Sequence, residues 1–217
     1  MPRATSPSRI RGRGPTCPDR VARVRLILAS ASPRRRELLG RLGVEFEVVP
    51  SDIDEILVGE PSGETVAALA LAKARTVAAR VGSGLVLGAD TVVVIDGVAL
   101  GKPVDAEEAQ AMLRRLRGRA HEVITGVAVV DAETGRAEAT AVVTRVVMAD
   151  VGDDVIEAYV ASGEPLDKAG AYAIQGRGAA LVSGFVGSYS SVVGLPLAAT
   201  ARLLRGFGVD VSASAED

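Results

Sequence analysis

Apolar positions along this chain change period repeatedly, and each change marks an element. Leu26-Ile-Leu-Ala29 is a continuous apolar run that stops at Ser30 and Ser32; beyond Pro33 the spacing becomes helical to about Leu42. Ser32 suits the N-cap, and Pro33 suits the first helical position, where a missing N–H costs nothing. Gly43 closes that helix, and Phe46-Glu-Val-Val49 predicts a short strand. Residues 50–63 read as a polar loop with an acidic cluster of Asp52, Asp54, Glu55 and Glu60. From about Glu64 to Val81, the stripe Val66, Leu69, Ala70 and Val77 predicts an amphipathic helix. Gly84 to Ile95 is apolar at almost every position, the pattern of a buried strand, and Asp96-Gly97 signals a tight turn after it. Asp105 caps a helix to about Leu116. Two β-branched runs, His121–Val130 and Ala137–Met148, flank a Glu133-Thr-Gly135 turn and predict an antiparallel hairpin. A helix opens at Asp153 or Asp154 and runs to about Ala161, followed by a glycine-rich segment from Ser162 to Gly178. A strand at Leu181–Val186, a loop over Gly187–Pro196 and a helix over about 197–206 complete the body. Helices intermixed with a hairpin imply a mixed α/β sheet rather than a purely parallel one.

Several polar residues break this pattern. Arg34, Arg35 and Arg36 crowd a first helical turn, where the helix dipole favours carboxylates, at a cost of a few tenths to about 1 kcal/mol each. Either they point into water or a polyanion occupies that helix end. Lys73 falls on the apolar stripe between Leu69 and Val77, so it either snorkels to the surface or meets an anion in a cleft. Asp90 interrupts the buried strand. An ionised carboxylate there needs a cation, a metal or solvent, unless Gly88 makes a bulge and Asp90 turns outward at a strand end. Lys102 lies between Gly101 and Pro103 in a loop. His121, at a strand start, reads as structural.

Composition narrows the chemistry. Of 217 residues, 48% are hydrophobic and only 3% aromatic, so the core must be aliphatic. One Cys (Cys17) and one His (His121) exclude an internal disulfide and a His/Cys metal cluster, and leave a hard cation held by carboxylates and phosphate oxygens. Net charge is −2; residues 1–23 hold six Arg against one Asp, or +5, leaving −7 for the rest. An acidic body argues against nucleic-acid binding. No apolar run reaches the roughly 18 residues that span a membrane. The leader has no apolar segment of a secretory signal and reads as a disordered basic extension or as sequence upstream of a misassigned start; 210–217 reads as a frayed tail. P-loop and dinucleotide-binding signatures are absent, and the lone His makes a Ser-His-Asp site improbable. The cations Arg34, Arg35, Lys73 and Lys102 with the carboxylates Asp90 and Glu55 suit a nucleoside triphosphate and its Mg²⁺ or Mn²⁺. On pattern alone, they define a phosphate-handling enzyme.

Six motifs in order say more. Ser30-Ala-Ser-Pro-Arg-Arg35, Gly88-Ala-Asp-Thr-Val92, Gly101-Lys-Pro103, Glu164-Pro-Leu-Asp-Lys-Ala-Gly-Ala-Tyr172, Ile174-Gln-Gly176, and Gly187-Ser-Tyr189 with Val193-Gly-Leu-Pro196 resemble the Maf family of nucleoside triphosphate pyrophosphatases. The resemblance implies one catalytic domain over 24–209, cytoplasmic, of the inosine-triphosphatase type: a twisted mixed sheet flanked by helices, two lobes and a central cleft. It implies hydrolysis between the α and β phosphates with a divalent cation, Asp90 accepting the proton of the attacking water and Asp90 with Glu55 at the metal. Arg34, Arg35, Lys73 and Lys102 fall on phosphate-binding positions, and Arg34, Thr91 and Gln175 on positions tied to base selectivity. The Asp167-Lys-Ala-Gly-Ala-Tyr and Ile-Gln-Gly patterns are similar to the branch acting on dTTP and UTP, rather than the one preferring 7-methyl-GTP. A glutamine amide, both donor and acceptor, suits the O4/N3–H edge of thymine or uracil. Ala31 and Ser191 depart from the commoner Gly and Asn. Family members often form homodimers, and a family link with arrested division raises a rival reading as a septum-formation regulator without turnover.

Overall fold

The computed structural model describes residues 24–53 and 60–211. The leader, the tail beyond Val211, and Asp54 and Glu55 of the acidic cluster lie outside the described residues.

The chain forms β1 (Leu26–Leu28), α1 (Pro33–Arg41), β2 (Glu47–Val48), α2 (Gly63–Val81), β3 (Leu85–Ile95), β4 (Val98–Leu100) and α3 (Ala106–Leu116). It continues through β5 (Ala120–Asp131), β6 (Ala137–Met148), α4 (Asp153–Ala161), three short 3-10 turns between Glu164 and Leu181, β7 (Val182–Val186), α5 (Tyr189–Val193) and α6 (Leu197–Gly206). The strands make one mixed sheet in the order β2-β1-β3-β5-β6-β7, with β4 also on β3. β1 runs parallel to β2 and β3, and the other pairings are antiparallel. The mixed α/β expectation holds, including the hairpin of β5 and β6. The segment read as a loop over Gly187–Pro196 holds the five-residue helix α5, capped by Ser188, whose hydroxyl accepts from the Ser191 N–H at 3.0 Å. A helix that short leaves too few positions for a period to register.

Alternation along β3 assigns its two faces. Leu85, Leu87 and Ala89 pack with α1 and α6, while Val86 packs under Ala74 and Val77 of α2. Farther along, Val93 and Ile95 join a second apolar cluster with α3 and α4. Core clusters thus gather toward the two ends of the long strands, with a cavity between them. Gly88 and Gly126 bring α2 unusually close to the sheet. A Cβ on Gly88 would lie 2.3 Å from the Ala70 carbonyl oxygen, and one on Gly126 would lie 2.4 Å from that of Val66. Only glycine admits such an approach.

The pairing of β3 with β5 runs unbroken from Leu85 to Val94, with Asp90 opposite Gly126. Gly88 therefore makes no bulge, and Asp90 caps no strand end. On its other side β3 pairs with β1 only through Leu87 and with β4 only from Val93. The edge between, Gly88 to Val92, is paired with neither strand. That gap opens the cavity.

Candidate active site

A cavity of about 650 Å³ lies along the open edge, within the usual size of a small-molecule site. Its wall contains five cations (Arg34, Arg35, Lys73, Lys102 and Lys168) and three carboxylates (Asp52, Asp90 and Asp167). Thr91 and Gln175 line it as well, so the described residues assigned to phosphate binding, catalysis and base selectivity meet in this one place. Glu55 lies outside the described residues. Arg36 is exposed and absent from the lining.

Lys73 and Asp90 form a buried ion pair, 3% and 4% exposed, through Nζ and Oδ1. Lys73 therefore does not snorkel: α2 rests on Gly88 and Gly126, and its inward lysine meets the strand residue two positions beyond Gly88. Each charge answers the desolvation cost of the other, and loss of either partner would leave an uncompensated buried ion.

Arg35 is braced on the opposite face. Its Nε donates to the Gly194 carbonyl at 2.9 Å, Nη1 to Ser30 Oγ at 3.2 Å and Nη2 to Thr91 Oγ1 at 3.3 Å. Thr91 Oγ1 also lies 3.0 Å from Thr125 Oγ1, and Thr125 donates to the Ser191 carbonyl at 2.8 Å. The Thr91 hydroxyl thus orients Arg35. Arg34 reaches across to Asp167 at 3.8 Å. Burial opposes ionisation of Asp167, but Lys168 and Arg34 beside it hold its carboxyl below the ordinary value.

Tyr172 and Lys168 were not singled out individually from the sequence, though both fall inside a recognised motif. Tyr172 Oη lies 2.7 Å from His121 Nε2, the two rings packing edge to face. Burial pushes His121 down to about 4 and raises Tyr172, keeping both neutral at ordinary pH. His121 is structural, as its strand-start position suggested. Gly126 was the other missed residue: a glycine inside a β-branched run is itself a sign of close backbone approach.

Among the described residues no group of three or more His, Cys, Asp or Glu stands ready to hold a metal. A protein-only cage is thus lacking there, whereas Mg²⁺ or Mn²⁺ shared between one or two carboxylates and substrate phosphates suits this donor set. No helix among the described residues is long and apolar enough to cross a membrane.

Fold and cavity together define an α/β protein with a cation-rich cleft at a split sheet edge, built for a polyanionic small molecule. Residues 25–207 match the family model described as Maf-like protein, and the chain belongs to that family. A dTTP/UTP pyrophosphatase of Moorella thermoacetica is 58% identical over 188 residues, covering 86% of this chain and 97% of its own. One of Anaeromyxobacter dehalogenans is 57% identical over 187 residues, covering 85% and 94%. Among solved structures, a nucleoside-triphosphatase (dITP/XTP pyrophosphatase) of Mycobacterium abscessus aligns with a TM-score of 0.39 at 20% identity, over 58% of this chain and 75% of that one. A likeness of that extent adds nothing to the architecture described above.

Proposed function

We propose that this chain is a cytoplasmic nucleoside triphosphate pyrophosphatase that hydrolyses dTTP and UTP to the monophosphate and pyrophosphate. The observation that carries the reading is the convergence on one cavity of a buried carboxylate–ammonium pair with four further cations. The names of relatives more than half identical over nearly their whole length supply the nucleotide.

In this reading Arg34, Arg35 and Lys102 hold phosphate oxygens, Arg35 as a preorganised fork. The ammonium of Lys73 pairs with Asp90 and holds its carboxylate in place. Asp90 takes a proton from water as the water oxygen bonds to the α-phosphorus. The P–O bond from the α-phosphorus to the α–β bridging oxygen breaks, and pyrophosphate leaves with that oxygen. A divalent cation, when bound, neutralises charge on the phosphates, with Asp90 and Glu55 as the carboxylates assigned to it. Gln175 reads the O4/N3–H edge of the pyrimidine through its amide.

The test is a nucleotide panel with Mg²⁺ or Mn²⁺ and resolved products. The expected products are dTMP or UMP with pyrophosphate. A nucleoside diphosphate with orthophosphate would refute the cleavage site, and no turnover across the panel would favour the regulatory reading.

A further inference from the structure

Gln175 sits in a stretch of short turns with no regular element to fix it, yet selectivity by an amide requires the amide to be held. The hydrogen bonds around it converge on one carboxylate. Glu164 Oε2 accepts from the Arg177 N–H at 3.3 Å, and Oε1 accepts from the Gly178 N–H at 3.3 Å. Oε1 also accepts from the Tyr159 hydroxyl at 3.2 Å. The Tyr159 hydroxyl and the Ala173 backbone close around Gly178, where a Cβ would lie 2.8 Å from Tyr159 Oη and 2.4 Å from the Ala173 carbonyl oxygen. The turn that carries Gln175 is therefore clamped through residues 177 and 178, directly after it. Gly176 completes the fit: its φ is +63°, and a Cβ there would lie 3.1 Å from Glu164 Oε1. The Glu164 carbonyl also accepts from Lys168 Nζ, so one residue fixes two groups of the cavity wall. Glu164 itself is not among the cavity-lining residues.

We propose that Glu164 is a positioning residue for base selectivity: its carboxylate clamps the turn that presents Gln175 to the nucleobase, without touching the nucleotide. This rests on the reading of Gln175 as the group that recognises the pyrimidine edge. Backbone N–H groups bound to a carboxylate make a stiffer bracket than side-chain contacts, because charge-assisted bonds are about twice as strong as neutral ones. Loss of the carboxylate frees the turn, so the amide no longer favours the O4/N3–H pattern over the amino/N3 pattern of cytosine.

UTP and CTP share sugar and phosphates and differ only at that edge, so the ratio of their kcat/KM values is the readout. Glu164→Ala is expected to lower the UTP:CTP ratio by about tenfold or more, through KM for UTP rather than kcat. Glu164→Gln, which keeps one acceptor oxygen, is expected to recover part of the ratio. Tyr159→Phe, which removes one hydroxyl and keeps the ring, is expected to shift it less but in the same direction. These two variants carry the test if the alanine variant does not fold. Amide hydrogen exchange at Arg177 and Gly178 is expected to quicken in Glu164→Gln. A ratio unchanged in the Glu164 variants, or equal losses on UTP and CTP, would overturn the proposal while leaving the reading of Gln175 intact. A wild-type enzyme that turns over UTP and CTP alike would overturn that reading and this proposal with it.

Discussion

The wall of the cleft that carries Lys73 and Asp90 is regular structure, a helix laid directly on the middle of β3, which pairs without a break with β5 on one side. The facing wall, with Lys168, Tyr172 and Gln175, is a run of 3-10 turns held by hydrogen bonds to Glu164 and by packing of Tyr172 on His121. The first wall gains its precision from packing: Gly88 and Gly126 leave no room for α2 to shift toward the sheet. Close-packed interiors of that kind are not continuously deformable. The second wall gains its precision from a few polar contacts, any of which can be altered without disturbing the sheet. In the proposed reading, the chemistry shared by all nucleoside triphosphates belongs to Asp90 and Lys73 on the rigid wall, and Gln175 reads the base from the adjustable one.

That division can be broken most severely at Asp90. Asp90→Asn is expected to lower kcat by about a thousandfold on every nucleotide, the scale of losing a general base. The amide still offers an oxygen to Lys73, so circular dichroism should report a folded protein; retained turnover would remove Asp90 from the catalytic role. Gly126→Ala strikes the same wall without touching a polar group. Its Cβ must push the Val66 backbone away, and overpacking of this kind costs about 1–3 kcal/mol. The expected outcome is a lower Tm together with a kcat loss shared by all nucleotides, read by thermal melts and steady-state kinetics. Gln175→Glu addresses the other wall. It should change the UTP:CTP ratio by about ten- to a hundredfold, with kcat and Tm little altered. Equal losses on all bases would merge the two walls into one function.

The mildest effect concerns His121 behind Tyr172. Burial holds the folded imidazole at about 4 against 6.5 when unfolded, so the unfolded chain binds more protons between those values. Stability from this residue is present above about pH 6.5 and is lost as pH falls toward 4. From about pH 7.5 to about 5.5, the loss should be about 1 kcal/mol by proton linkage. Thermal melts across that range should show the decline, and His121→Gln should flatten it.

How legible each wall was in the sequence follows from how it is built. Period and capping residues marked α2, β3 and the β5–β6 hairpin because regular elements repeat their pattern over many residues. Lys73 and Asp90 stood out because a charge inside an apolar pattern violates it. Their pairing was not legible, since it depends on the register of α2 over β3, which Gly88 and Gly126 set together from distant positions. β4 and α5, three and five residues long, were too short for periodicity to reveal them. The Glu164 bracket was hidden for another reason. Its acceptors and donors are a side chain and backbone N–H groups 13 and 14 residues later, and backbone donors carry no sequence signal. Motif resemblance pointed to the segment, and only geometry showed what holds it.

The most direct test of attack at the α-phosphorus is hydrolysis of dTTP in ¹⁸O-labelled water, with the products weighed by mass spectrometry. The account predicts one labelled oxygen in dTMP and none in pyrophosphate. Label in pyrophosphate, or in orthophosphate beside dTDP, would contradict it.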